Sequence, residues 1–304
     1  MIDFSAYPHV ARVTQVFATS FPYFVPSVDR LYERFGEAWL EHFEREMTTL
    51  FGDDWVRFDN AVIGYGRFSL DSMRLQKLFD KKRCYENKTY EEAAAEVYQN
   101  RDYMFTLYLP GILLAHFLWN NHYLQHKFYY NEFLPRVRAH GGNLFYDIGI
   151  GTGFYSKEML RDTPYMRGEG FDLSPFSLEF TGQTLSAFGL RERYSFNLRN
   201  IITQPVTTPA PFILNIEVLE HLEDPQSFLD AMAGMLEPGG FGLISAALTA
   251  PNVDHIYLYS EPEEVFDQLN KAGFKVVTYS HDPAYEPRKP SESVPRNLIA
   301  VVTR

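Results

Sequence analysis

Residues 145–155 read FYDIGIGTGFY, an apolar run that ends in a glycine-rich turn. The spacing predicts a short β-strand, a tight turn and then a helix. Glycine permits positive φ angles and lets a ligand approach the backbone closely. The helix N-terminus behind the turn offers free N–H groups, and Asp147 at the strand end can accept hydrogen bonds from an ammonium or hydroxyl group. The stretch therefore predicts a binding loop built on Gly149, Gly151 and Gly153.

A second carboxylate follows at the distance typical of a nucleoside site. Asp172 comes nineteen residues after Gly153 and ends a second predicted strand, where it can chelate the two ribose hydroxyls of a nucleoside. The dinucleotide fingerprint G-x-G-x-x-G would need a glycine at the position of Phe154. This mismatch counts against a nicotinamide-dependent oxidoreductase, which stays open as an alternative, as does an ordinary strand-to-helix turn.

Strands and helices alternate from Gly141 onward. The predicted strands cover 143–148, 168–171, 194–198, 212–216, 240–247, 275–279 and 297–303. The predicted helices cover 154–161, 175–188, 225–236 and a segment ending at 273, with N-caps at Ser174 and Asp224 and a capping box of Ser260 with Glu263. This alternation predicts a parallel sheet with helices on both faces, and the last two strands, with no helix between them, predict an antiparallel pair.

Residues 1–140 have mostly helical periodicity. Helices are predicted at 29–50, 69–79 and 89–98, the last with a capping box of Thr89 and Glu92. The segment 113–139 is apolar on more than one face, which predicts that it packs against two neighbours at once.

Four motifs in sequence order carry a resemblance to a known family. They are DIGIGTG at 147–153, Asp172, NIEVLEHLEDP at 215–225 and LEPGGF at 236–241. Together they resemble the class I S-adenosylmethionine (SAM) methyltransferases, in the branch that contains the quinone-biosynthesis enzymes and many natural-product enzymes. The resemblance covers about 115–304. It implies an α/β fold with a Rossmann-like, seven-stranded and mostly parallel sheet, a terminal antiparallel hairpin, and SAM as the cofactor.

The resemblance also implies which residues contact the cofactor. These are Asp147, Gly149, Gly151, Gly153, Asp172, Leu173, Asn200, Ile201, Asn215 and Ile216. The sequence departs from the family after the third strand, where an aspartate often bonds the adenine amino group. Asn200 stands there and can accept the same hydrogen bond through its side-chain oxygen.

Methyl transfer from a sulfonium needs an aligned acceptor atom, and it needs a base only when the nucleophile holds its proton tightly. Glu217, at the end of the fourth strand, is a candidate to contact the methionine part of SAM, to act as a base, or to hold a cationic acceptor. His221 follows one helical turn later and is the second catalytic candidate, although the family commonly has a histidine here that is not the base. Glu220 is expected to be a solvated or helix-terminal carboxylate.

The acceptor is expected to meet an aromatic-lined pocket, because aromatic faces attract cations and bind planar molecules. The candidate substrate contacts are Tyr123, Tyr129, Glu217, His255 and Tyr257. Packing in the core is the alternative for each single aromatic residue. His122 and His126 have a spacing that suits metal ligands, but no carboxylate–histidine signature accompanies them, so no metal is predicted.

Composition narrows the function classes. The 304 residues carry a formal net charge of −11, which argues against nucleic acid as the partner because phosphate backbones attract basic surfaces. The single cysteine excludes an intramolecular disulfide framework, and no segment of the sequence is typical of a membrane span or signal peptide, so a soluble cytoplasmic protein is expected. Of the 49 aromatic residues, 29 lie in residues 1–135.

The domain prediction follows from this imbalance. Residues 1–112 are predicted to form a helical, aromatic-rich cap that binds substrate or mediates a homodimer, and residues 113–304 the SAM-binding domain. The predicted function is methylation of a small molecule at nitrogen, oxygen or carbon, in specialised-metabolite biosynthesis. The alternatives are the oxidoreductase named above and a non-catalytic partner protein that keeps the SAM-binding fold.

Overall fold

The alternating half of the chain forms one seven-stranded sheet. The computed structural model describes residues 4–86, 88–287, 289 and 292–304. The strands are β1 (Leu144–Ile148), β2 (Arg167–Asp172), β3 (Tyr194–Leu198), β4 (Ala210–Asn215), β5 (Leu236–Leu248), β6 (Lys275–Pro283) and β7 (Arg296–Thr303). Their order is β3-β2-β1-β4-β5-β7-β6; β7 runs antiparallel to both neighbours and the other pairs are parallel. The predicted fold class is confirmed.

The helices between these strands begin where the sequence has capping residues. They are α10 (Phe154–Asp162), α11 (Pro175–Ala187), α12 (Pro225–Ala233) and α13 (Pro262–Lys271). Ser174 caps α11 and Asp224 caps α12, as predicted. The capping box of α13 is formed by Glu261 and Glu264, one residue later than predicted, because the helix starts at Pro262, whose fixed φ suits the first helical position.

The described residues before Gly141 form a layer of helices. They are α1 (Pro8–Ser20), α2 (Val25–Phe35), α3 (Glu37–Phe51), α4 (Trp55–Lys82), α5 (Tyr90–Glu96), α6 (Arg101–Tyr103), α7 (Leu109–Leu118), α8 (Asn120–Phe128) and α9 (Leu134–His140). The predicted helix 29–50 is divided because Gly36 has a φ of 69°, outside the helical region. The segment 113–139 is interrupted at Trp119, whose backbone is extended. The predicted capping box of Thr89 and Glu92 is present.

The N-terminal helices and the sheet share one hydrophobic core. Trp39 is fully buried and its Nε1 donates to the carbonyl of Phe117 at 2.9 Å. The ring of Phe117 then lies edge-on against Phe154 at the start of α10, with centroids 5.5 Å apart. The predicted domain boundary at 112/113 lies within α7. The described helices include none that is both long enough and apolar enough to cross a membrane.

Candidate cofactor and acceptor site

A cavity of about 1680 Å³ opens at the carboxyl ends of the parallel strands. Its floor comes from the segments that follow β1, β2, β3, β4 and β5, and its roof from α2, α4, α7 and the start of α8. Ligands of open α/β sheets bind at this edge. The volume exceeds the roughly 300–1,000 Å³ of a pocket for one drug-sized ligand, so there is room for a nucleoside cofactor together with a second molecule.

The glycine loop forms the wall next to β1. Gly149 has a φ of 79° and donates its N–H to the carbonyl of Phe171 at 2.8 Å. Gly151 has a φ of 51°, and a Cβ at that position would meet no atom within 4 Å, so a ligand can reach the backbone. Gly153 instead caps α10, where a Cβ would meet Cγ2 of Thr181 at 2.5 Å. Gly149 and Gly151 line the cavity, and Gly153 shapes the turn behind it.

Asp172 lies at the end of β2 and faces the cavity. Its Oδ1 accepts from the Ser174 N–H at 2.8 Å, and its Oδ2 lies 3.4 Å from the Gly151 nitrogen. Burial raises the pKa of Asp172, and these backbone donors offset part of that rise. The carboxylate is held in place with lone pairs left over, as binding a ribose diol requires.

Asp147 ends β1 and is buried beside the glycine loop. The Ser156 hydroxyl donates to its Oδ2 at 2.5 Å and also lies 2.8 Å from the Tyr194 hydroxyl. Burial raises the pKa of Asp147 to about 7, although the Ser156 hydrogen bond opposes the rise. A cationic group in the cavity would favour the ionised form of this carboxylate.

Two exposed apolar side chains mark the place for a flat, apolar ring. Leu173 is 43% exposed and Ile202 is 42% exposed, and both line the cavity with the buried Ile201. Asn200 lines it too, but its Oδ1 already accepts from the backbone of Ile202 at 2.9 Å and of Thr203 at 3.4 Å. The Asn200 oxygen that is predicted to bind adenine therefore also stabilises the turn formed by residues 200–203. Ile202 is a lining residue that the sequence analysis missed.

Ile216 and Asn215, neighbours at the end of β4, have different surroundings. Ile216, a predicted cofactor contact, lines the cavity. Asn215 is fully buried, and its Nδ2 donates to the carbonyl of Ile148 at 2.8 Å. Asn215 lies outside the cavity lining formed by the described residues and ties β4 to the end of β1.

Glu217 is fixed in the cavity by three side-chain donors. Its Oε1 accepts from Gln125 Nε2 at 3.0 Å and from the Ser245 hydroxyl at 2.6 Å, and its Oε2 accepts from Asn297 Nδ2. The backbone has a φ of 55°, unusual for a residue with a Cβ. Burial raises the pKa of Glu217, and the three donors oppose that effect. A strained backbone held by several hydrogen bonds is characteristic of a functional position.

His221 is paired with the buried carboxylate of Asp254. Its Nδ1 lies 3.3 Å from Asp254 Oδ2 and 3.0 Å from the Tyr98 hydroxyl. Burial lowers the pKa of His221, but Asp254 outweighs this effect and raises the pKa to about 10. The imidazole is therefore protonated at neutral pH, so it contributes a fixed positive charge and cannot accept a proton from the acceptor.

Two further partners of Asp254 come from the N-terminal part of the chain, from the segments that flank α6. Tyr98 donates to Asp254 Oδ2 at 2.7 Å and Tyr108 donates to the same oxygen at 2.5 Å. Sequence reasoning missed all three residues. No local pattern marks them, because 156 and 146 positions separate the tyrosines from Asp254.

The expectation for Glu220 is wrong. Its side chain is fully buried and lines the cavity, and neither carboxylate oxygen has a hydrogen-bond partner among the described residues. Burial and the neighbouring Glu217 raise the pKa of Glu220 to about 8. The turn after β4 folds inward beneath the loop after β5, where the Glu220 carbonyl accepts from the backbone of Ile256 and Tyr257. That loop removes the carboxylate from water.

His255 lies beside these groups, as its prediction as an acceptor-site residue requires. Its ring centroid is 4.8 Å from that of His221, and burial lowers its pKa to about 3. One ligand atom each from Glu220, His221 and His255 lies within 4.8 Å of the others. A carboxylate and two imidazoles are ligand types that suit a divalent transition metal, but the proton that Asp254 favours on His221 and the raised pKa of Glu220 both oppose metal binding at neutral pH.

Three predicted acceptor contacts lie outside the lining that the described residues form: Tyr123, Tyr129 and Tyr257. Tyr123 packs against Phe35 with ring centroids 4.8 Å apart, and Tyr129 is fully buried in the core. The Tyr257 hydroxyl accepts from Gln268 Nε2 at 3.2 Å. The aromatic side chains that do line the cavity include Tyr65, Phe68, Tyr90, Tyr98, Tyr108, Trp119 and Tyr155.

Comparison with known proteins agrees with this geometry. A family model described as a methyltransferase domain matches residues 146–241. The ubiquinone biosynthesis O-methyltransferase of Ruegeria pomeroyi is 28% identical over 163 residues, 47% of this chain and 64% of that protein. The corresponding enzyme of Parvibaculum lavamentivorans is 32% identical over 104 residues, 33% of this chain and 39% of that protein. The chain thus spans less than two thirds of the length of each relative.

Solved structures share the fold at low sequence identity. The N-methyltransferase NodS of Bradyrhizobium japonicum, in complex with S-adenosylhomocysteine, is 19% identical with a TM-score of 0.50, over 68% of this chain and 97% of that one. An O-methyltransferase family protein of Burkholderia thailandensis is 15% identical with a TM-score of 0.53, over 80% of this chain and 71% of that one. The strand order and the glycine loop with its carboxylate thus agree with the match of residues 146–241 to a methyltransferase domain.

Proposed function

We propose that the protein transfers the methyl group of SAM to a small-molecule acceptor bound in the same cavity, in specialised-metabolite biosynthesis. The observation that carries the proposal is the placement of Asp172 and Gly151 on one wall of a cavity that also holds Glu217. The residues fit the cofactor, because Gly151 leaves the backbone open to a ligand and Asp172 keeps free lone pairs for a diol.

Each part of the site has a separate task in this proposal. When bound, SAM supplies an electrophilic methyl group on a positively charged sulfur. Asp172 holds the ribose hydroxyls, and Leu173 with Ile201 covers the adenine. Glu217, held in place by its side-chain donors, supplies a carboxyl group that orients a hydroxyl or cationic acceptor. Alignment of the acceptor supplies much of the rate.

The N-terminal helices complete the reaction chamber. Trp119 and Tyr108 line the roof opposite the strand ends, so the helices exclude water from the cavity. We propose that residues 1–112 act as part of this cap and contribute to the acceptor pocket. A cytoplasmic location, the absence of a nucleic-acid partner and a homodimer formed through the cap belong to the same proposal. The single cysteine supports the first of these and the acidic net charge of −11 supports the second.

Two measurements test the proposed function. Calorimetry with S-adenosylhomocysteine is expected to show saturable binding, whereas NADH is expected to leave the melting temperature unchanged. Incubation with methyl-labelled SAM and fractionated small-molecule pools is then expected to place label on a soluble compound. Stabilisation by NADH without stabilisation by S-adenosylhomocysteine would overturn the proposal in favour of an oxidoreductase.

A further inference from the structure

One wall of the cavity carries polar side chains that the proposed methyl transfer does not use. We call it the polar wall; its members are His116, Asn120, Asn121, His122 and Tyr155. Each has a buried nitrogen or oxygen without a hydrogen-bond partner in the described part of the chain. His116 and Asn121 are at least nine-tenths buried. Buried polar atoms are paired in nearly all native structures, so this set indicates a ligand that pairs with them.

The polar wall is continuous with aromatic faces. The ring of His122 lies 5.0 Å from Trp119 and 6.0 Å from His116, centroid to centroid. Trp119 stacks on Phe68 at 5.6 Å with an interplanar angle of 19°. A ligand at this wall therefore meets aromatic faces and unpaired polar atoms together.

The polar wall is uncharged at neutral pH. Burial lowers the pKa of His122 to about 4 and that of His116 well below its usual range, so both imidazoles are neutral. A neutral imidazole donates one hydrogen bond and accepts another, as a hydroxyl group does. Asn120 and Tyr155 add an amide oxygen and a phenol hydroxyl. An anionic ligand has no cation to pair with on this wall, and a cationic ligand no carboxylate.

We infer that the acceptor is a ring compound bearing several hydroxyl groups, of the sugar or glycoside class, whose hydroxyls bind the polar wall while its apolar ring face stacks on Trp119. A phenol or quinone offers one or two polar groups and would leave most of the polar wall unpaired, which is costly in a buried site. This inference rests on the proposed function, because it assigns the second occupant of the same cavity.

The test uses the full chain saturated with S-adenosylhomocysteine. Calorimetry compares a panel of methyl glycosides and disaccharides with phenol and catechol. At least one glycoside is expected to bind ten times more tightly than catechol. The variants His122→Phe and Asn120→Leu are each expected to lower the affinity for that glycoside at least tenfold. Both are expected to leave the affinity for S-adenosylhomocysteine unchanged. Lys127→Gln, an exposed position on the same helix, is the matched control and is expected to bind like the wild type.

The outcomes separate the inference from the proposed function. Binding of S-adenosylhomocysteine with no binding of any glycoside, or with catechol the tighter ligand, overturns the inference and leaves the methyltransferase proposal standing. Glycoside binding that neither variant weakens also overturns it. Failure of the wild type to bind S-adenosylhomocysteine contradicts the proposed function itself. Transfer of label from methyl-labelled SAM to the bound glycoside is the expected second readout.

Discussion

At the residue scale, the carboxyl groups of Asp172, at the end of β2, and Glu220, after β4, differ in their hydrogen bonding. Asp172 accepts hydrogen bonds from backbone N–H groups, whereas Glu220 is fully buried with no hydrogen-bond partner among the described residues. Asp172 keeps lone pairs that can accept hydrogen bonds from the hydroxyl groups of a neutral diol. Glu220 holds its proton at neutral pH until a cation or a donor arrives, because burial disfavours its charged form.

Asp172→Ala is expected to weaken S-adenosylhomocysteine binding by about a hundredfold or more, since two hydrogen bonds to a charged group are worth about 1.5–3 kcal/mol each. The melting temperature of the ligand-free protein is expected to change little. Calorimetry measures the first quantity and a thermal scan the second. Glu169→Ala, on the same strand but outside the cavity lining, is the control. Equal affinity of the Asp172 variant and the wild type would show that the carboxylate does not hold the ribose.

Glu220→Gln is expected to alter the pH dependence of stability. Folding raises the pKa of Glu220 from 4.5 to about 8. The protonated side chain therefore makes its full contribution to the free energy of unfolding below pH 4.5, and this contribution is lost as the pH rises through about 8. At pH 9 the variant is therefore expected to be more stable than the wild type by roughly a few kcal/mol, and at pH 4 equally stable. Urea unfolding across this range measures the difference. The exposed Glu192→Gln is the control, and parallel curves for all three proteins would contradict the prediction.

At the element scale, glycines decide where helices end and where the loop approaches a ligand. The predicted helix 29–50 has unbroken apolar periodicity, yet α2 and α3 separate at Gly36, whose φ of 69° no helical residue adopts. Periodicity could not reveal the break, since the pattern continues across it. The caps at Thr89, Ser174 and Asp224 were predictable, because a cap depends on residues three positions apart.

Gly36→Ala is expected to lower the free energy of unfolding by about 1 kcal/mol, because a Cβ disfavours positive φ. No steric clash contributes, since a Cβ there would meet nothing within 4 Å. Gly182→Ala, inside α11 and with its Cβ at an ordinary 3.8 Å from Phe196, is expected to raise stability by roughly 0.5–1 kcal/mol. Denaturant titration measures both changes. If both variants change the free energy of unfolding in the same direction, Gly36 is not needed for its positive φ.

At the scale of the whole molecule, buried charges join the helical layer to the sheet. Lys157 on α10 pairs with Glu46 of α3 and with Glu158, and Arg161 reaches Glu46 at 2.6 Å. Lys157, Glu46 and Glu158 are at most 1% exposed. Each charge is tolerated only because its partners are present.

Lys157→Met is expected to destabilise the protein by about 3–5 kcal/mol, because it removes the buried cation shared by Glu46 and Glu158 and leaves both carboxylates with Arg161 alone of these two partners. Chemical unfolding with probes in both halves of the chain measures the loss, and both halves are expected to lose stability together. Arg101→Gln, at the exposed pair with Glu179, serves as the control and is expected to leave stability unchanged. A variant as stable as the wild type would show that the network does not hold the layers together.

The sequence by itself determined the sheet and the glycine loop with the carboxylates Asp147 and Asp172 beside it, because strand periodicity, turn glycines and caps act over a few residues. The tertiary structure decided which groups share the cavity. It removed Tyr129 from the lining, buried Glu220 and paired His221 with Asp254. These outcomes depend on segments that are distant along the chain: 33 positions separate His221 from Asp254, and 156 separate Tyr98 from Asp254. Burial and pairing arise only when distant segments pack, so no local pattern records them.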